Sequence, residues 1–146
     1  MENKIKKGFP HFLSTLLSVV LSLAGKIVCA QTAVVPDGEG TEESPYQITR
    51  LGHLVWMGAT VSESAGKQYR LMNDIDASET SGWGQYDAYG GFAGFSPIGN
   101  DWEETCYFRG VFNGDGHVIR GLYMDCRSSG GLFGVVAGEG RVVNLG

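Results

Sequence analysis

Proline is scarce in this sequence, with 4 in 146 residues. Basic residues are scarce too: 11 Lys and Arg stand against 16 Asp and Glu, for a net charge of −5. The deficit deepens past position 30, because Lys4, Lys6, Lys7 and Lys26 face only Glu2 in the stretch before it. Residues 31–146 hold 7 basic and 15 acidic groups, −8 in all. That balance excludes a basic patch for nucleic acid. The acidic residues are dispersed, so they form no acidic tail. Long apolar runs are missing as well. Phe12 to Ala24 is uncharged for about 13 residues, short of the ~20 that a spanning helix needs. His-Glu-x-x-His and Gly-x-Ser-x-Gly are both absent, so neither a zincin helix nor a nucleophile elbow is legible.

Glycine is abundant instead. There are 23, of which only Gly8 and Gly25 fall before position 31. So much Gly argues against a helical bundle. Its spacing lacks the period of three of collagen. Its interleaving with apolar residues argues against disorder. The composition predicts a turn-rich, all-β chain of one domain.

Residues 1–30 read as an export signal. Three Lys lie within residues 2–7, the apolar run follows, and Val28-Cys29-Ala30 precedes Gln31. Small residues at the −3 and −1 positions predict cleavage between Ala30 and Gln31. Lipidation at Cys29 is the alternative, with Val28 a poor residue before it. The membrane is then met only through the signal peptide during export, and the product is at the cell surface, in the periplasm or secreted. Of the 3 Cys, only Cys106 and Cys126 survive cleavage. An even pair in an oxidising compartment suits a disulfide; two buried thiols are the alternative.

Residues 31–45 read as a leader, with turn chemistry at Asp37-Gly38-Glu39-Gly40. Tyr46-Gln47-Ile48 is a strand candidate. Leu51, Leu54, Val55 and Gly58 fall at helical spacing, predicting one short helix over about 50–61 with Thr49 as N-cap. Tyr69, Leu71 and Ile75 begin an alternating pattern. Residues 77–95 read as an aromatic-rich loop. Phe108 to Phe112 alternates again, and Asn113-Gly114-Asp115-Gly116 turns.

A partial repeat follows. Phe112 and Phe133, Gly116 and Gly140, and Leu122 and Leu145 are separated by similar intervals, about 22 residues, within the range of solenoid periods. Short strands split by Gly at such a period predict a β-solenoid. Cys106 and Cys126, separated by nearly the same interval, would then sit on neighbouring coils.

These residues resemble exported proteins carrying GLUG motifs. The resemblance rests on Tyr69, Leu71 and Asn73-Asp74-Ile75-Asp76, followed by Pro97-Ile98-Gly99. It rests also on the block from Phe108 through Gly110, Phe112, Gly114, Gly116, His117 and Ile119 to Gly121-Leu122. Gly131-Leu132-Phe133-Gly134 matches the signature tetrapeptide, and Asn144-Leu145-Gly146 its usual close. The resemblance covers residues 46–146. It implies a right-handed parallel β-helix on a bacterial surface or secreted protein, and it carries over no catalytic residue. Such proteins usually continue with further coils, so this chain is expected to be truncated at its C-terminus. Its open last coil would continue into, or pair with, further repeats.

Candidate chemistry is thin. Asp74 and Asp76, at i and i+2, could share one face of a strand; a turn Asp beside a solvent-facing Asp is the plainer reading. Asn113-Gly-Asp115-Gly and Asp37-Gly-Glu39-Gly lack the spacing and closing Glu of a calcium loop. His53 and His117 stand at unrelated positions, and His11 leaves with the signal. No cofactor or metal set is legible. Aromatic residues are the richer signal, with 9 of the 16 between Trp83 and Phe112. Phe108 and Phe112 read as core. Trp83, Tyr86, Tyr89 and Trp102 would contact a glycan or protein partner if exposed; packing over the interior is the alternative. The chain is thus expected to be a non-catalytic exported surface or secreted module, such as an adhesin-like stalk or repeat segment. The competing expectation is a carbohydrate-binding module, or a carbohydrate-active β-helix enzyme using loop 83–102 with Asp74, Asp76 and Arg109 as its only candidate groups.

Overall fold

A computed structural model describes residues 32–84, 93–101, 103–125 and 130–146. Its centre is a four-stranded parallel sheet. Strand β1 (Tyr46–Ile48) pairs with β2 (Gln68–Leu71), β2 with β5 (Val111–Asn113), and β5 with β8 (Arg141–Val143). Two smaller sheets flank it. Strand β3 (Ile75–Asp76) pairs in parallel with β6 (Ile119–Arg120). Strand β4 (Ala93–Gly94) pairs antiparallel with β7 (Met124–Asp125).

Register explains the core. Tyr46 faces Tyr69, Tyr69 faces Phe112, and Phe112 faces Val142. Alternation turns these side chains to one face of their strands. Tyr69 and Phe112 are buried, as are Ile48 and Leu71, which pair at the far end of β1 and β2. Aromatic rings continue the stack. Tyr46 and Tyr69 lie 5.4 Å apart between centroids, Tyr69 and Phe108 5.6 Å, and Phe108 and Phe133 4.8 Å. Phe133 also meets Phe112 edge-on at 5.3 Å. Such pairs contribute about 0.5–1.5 kcal/mol each beyond their buried area.

Helix α1 (Leu51–Ala59) links β1 to β2. It buries Leu51, His53, Leu54 and Met57. The N-cap is Arg50, not Thr49, and no side chain caps it. Short and uncapped, the helix depends on its packed face rather than on propensity. A 3-10 turn, Val61–Glu63, follows it.

The expected right-handed parallel β-helix is not what the chain forms. Very short strands are divided among three separate sheets, one of them antiparallel, beside an α-helix. The segments between partners are unequal as well. The stretch from Tyr69 to its partner Phe112 is nearly twice that from Tyr46 to Tyr69, and the stretch from Phe112 to Val142 falls between them. The expected even period would have set Phe112 against Phe133, but Phe112 pairs with Val142, and Phe133 bridges to Ile98. The glycines misled because they answer local turn geometry. Gly38, Gly40, Gly66, Gly116 and Gly138 all have positive φ, which calls for Gly wherever a turn needs it rather than at a fixed interval.

The two edges of the main sheet differ. Beside β1, the Gln47 amide donates to the Asp37 carbonyl at 2.8 Å, and the Val34 amide donates to the Gly52 carbonyl in α1 at 2.9 Å. Segment 32–37, tied to α1, therefore lies along that edge. Among the described residues, strand β8 is the outermost strand on the other side, with every side chain exposed.

Candidate functional site

A recess opens where β2, β5 and β8 begin. It is a groove of about 500 Å³. Gln68, Val111 and Arg141 are register partners on the three adjacent strands. Their neighbours Tyr69 and Phe112 are buried, so alternation sends Gln68, Val111 and Arg141 outward, about 4.8 Å from strand to strand. The turn 138–140 and Gly66 close the groove with backbone, and Arg109 and Glu139 complete its lining.

Arg109 is held in place. Its guanidinium donates to the Glu104 carbonyl at 3.2 Å and lies 5.6 Å from the Tyr107 ring centroid. Its backbone amide donates to Ser64 Oγ at 3.0 Å. Neither Arg109 nor Arg141 has a carboxylate within ion-pair reach among the described residues; the ion pairs there belong to Asp74.

Asp74 and Asp76 do not act together. Asp74 Oδ1 accepts from the Val118 amide at 3.0 Å and lies 3.4 Å from His117 Nδ1. Its Oδ2 lies 3.4 Å from Arg120. The Val118 hydrogen bond, with help from Arg120 and His117, holds the carboxyl below its ordinary range. Asp76 instead accepts from the Ser78 amide at 2.9 Å and starts the 3-10 turn Ser78–Gly82. Hydrogen bonds from Ser78 lower its pKa as well. Each aspartate thus fastens a turn or strand.

His53 is buried in the first turn of α1. Its Nε2 accepts from Arg50 Nε at 3.0 Å, and its Nδ1 lies 3.1 Å from the Gln47 carbonyl. The Thr49 amide also donates to Nδ1, at 3.2 Å. Burial, reinforced by the Arg50 charge, pushes its pKa down. Tyr69 is buried among the core rings, which raises its hydroxyl above the ordinary value, with Tyr46 and Glu63 adding to it.

The aromatic loop is only partly described. Trp83 is 4% exposed and packs against Phe95 at 6.4 Å, so its face is not offered to solvent. Its Nε1 finds no hydrogen-bond partner among the described residues. Tyr86, Tyr89 and Trp102 lie outside the described residues, as do Ala30, Gln31 and Cys126. Cys106 is half-buried on the 3-10 turn Glu104–Cys106, and the expected disulfide falls outside the described residues with Cys126.

Two curated proteins resemble this chain. One is Halomucin of Haloquadratum walsbyi, 38% identical over 120 residues. The match covers 80% of this chain and 1% of that protein. The other, from Evansella cellulosilytica, bears a name that describes it as a Gly-rich membrane protein. It is 33% identical over 133 residues, covering 89% of this chain and 14% of the relative. The chain therefore spans a small part of both. No protein-family model and no solved structure matches it.

The Arg109–Arg141 groove was not foreseen from sequence. In sequence Arg109 reads only as a candidate catalytic group, and nothing marks Arg141 within Gly140-Arg141-Val142-Val143. The pairing of β5 with β8 brings them together from distant points of the chain, and no local pattern signals that. Among the described residues, no three His, Cys, Asp or Glu gather to hold a metal, and no helix is long and apolar enough to cross a membrane.

Proposed function

We propose that this chain is a non-catalytic exported segment of a surface or membrane-associated protein, adhesin-like or stalk-like in use. The observation that carries the reading is the direction of the main sheet. Strands join in chain order, β1, β2, β5, β8, from an edge lined by segment 32–37 to an open one. A sheet so ordered leaves an edge at β8 on which another strand could pair, a feature suited to a spacer. The relatives support the reading, since each contains a matching segment as a small part of a much longer chain. The three-part pattern of residues 1–30 supports export. The GLUG-like tetrapeptide fits the same reading through packing, because Phe133 at its centre seals Phe108 and Phe112.

The test is cell fractionation with intact mass. The expected result is protein in the envelope or secreted fraction, lacking residues 1–30. Recovery in the cytosol with Met1–Ala30 retained would overturn export, and turnover of a glycan or peptide substrate would overturn the non-catalytic part.

A further inference from the structure

We infer that the groove at the start of β2, β5 and β8 binds a carboxylated sugar, of the uronic-acid class, through Arg109 and Arg141. Four observations lead there. Two guanidiniums line one recess in a chain whose net charge is −5, and neither has a carboxylate partner among the described residues. A guanidinium matches a carboxylate with two parallel hydrogen bonds. Arg109 is already oriented by the Glu104 carbonyl and the Tyr107 ring, so little side-chain freedom is lost when it binds. The volume of about 500 Å³ lies within the ordinary range for small-ligand sites.

The rest of the lining selects among anions. Glu139 also faces the groove, and its carboxylate accepts hydrogen bonds but repels a second anion. Gln68 adds an amide that both donates and accepts. A ligand with one carboxylate per ring and several hydroxyls meets both demands. An acidic peptide does not: it brings carboxylates without hydroxyls, and it anchors through side-chain pockets or along a strand edge. Here Val111 is the one apolar side chain in the lining, and the groove lies on the sheet face. A phosphate group, with close to two negative charges, is repelled by Glu139 more than a single carboxylate is.

The inference is independent of the proposed role as a surface segment, since fractionation reads location and this experiment reads binding. The purified protein is titrated calorimetrically with a galacturonic-acid oligomer, a neutral galactose oligomer of equal length, and an oligoglutamate of equal charge. Binding is expected for the first, with the other two at least about tenfold weaker. Arg141→Gln and Arg109→Gln are each expected to weaken uronate binding about tenfold, the order of one charge-assisted contact. Arg141 is exposed and makes no structural ion pair among the described residues, so Arg141→Gln is expected to leave the melting temperature unchanged. No uronate binding, equal binding of all three oligomers, tighter binding of oligoglutamate, or an Arg141→Gln variant that binds as well as the parent would each overturn the inference.

Discussion

His53 shows how one side chain ties stability to pH. Its ring is neutral, buried and hydrogen-bonded on both nitrogens, and Arg50 supplies one of those bonds. Protonation at Nε2 would destroy the Arg50 contact and set two cations together. The folded pKa therefore lies below the ordinary 6.5, and the unfolded chain takes up the proton first. The His53 contribution is full above about pH 6.5 and falls as pH drops through that value toward the lower folded pKa. Denaturant melts at pH 7.5 and pH 5 are expected to show the loss, and His53→Gln is expected to remove most of the difference. An unchanged pH dependence in that variant would assign the effect elsewhere. Asp74 and Asp76 titrate in a separate window, because their lowered pKa values preserve their contribution until pH falls below about 3.8.

Among the elements, the turns after β5 and β8 are locked to each other. Asn113 Oδ1 accepts from the Asp115 amide at 3.0 Å and from Asn144 Nδ2 at 3.1 Å. The Gly116 amide donates to the Asn144 carbonyl at 2.9 Å. Asp115 and Gly116 both have positive φ, which tightens the turn. This accounts for Asn113-Gly-Asp115-Gly as turn chemistry, its Asn side chain and backbone amides spent on the turn itself. Gly114 sits where the turns touch, and a Cβ there would meet the Asn144 carbonyl oxygen at 2.5 Å. Gly114→Ala is expected to cost about 1–3 kcal/mol, the range for forced overpacking, read as a lower denaturation midpoint. Elements of this kind were partly legible. Tyr46–Ile48, the helix near 51–59 and the alternation of Tyr69 and Leu71 stand where their periods put them, because each period is set by local backbone geometry. Phe108 and Phe112 are core, at 1% and 0% exposure, as their alternation indicated.

For the whole molecule, the asymmetry of the main sheet matters most. One edge is lined by segment 32–37, while β8 leaves Val142 and Val143 at 37% and 39% exposure. Val136, bridged to Phe108, is also exposed. An open strand with exposed valines pairs readily with another chain. Purified protein is expected to self-associate with rising concentration in sedimentation velocity. Val142→Lys is expected to restore the monomer, since an edge lysine resists strand pairing. A parent that stays monomeric throughout would show that this edge is already protected.

Composition and short-range pattern were enough for the scarcity of basic charge, the short helix, and which aromatic residues of the strands turn inward. Those features depend on residue counts and on periods of two or 3.6, which neighbours along the chain already express. The choice of sheet partners waited on the folded chain. Pairing at unequal separations replaced the even repeat suggested by glycine spacing, because hydrogen-bond register answers to packing of Tyr69, Phe112 and Phe133 rather than to the interval between turns. The same long-range pairing created the Arg109–Arg141 groove. Its residues carry no shared motif, and they become one site only when three strands lie side by side.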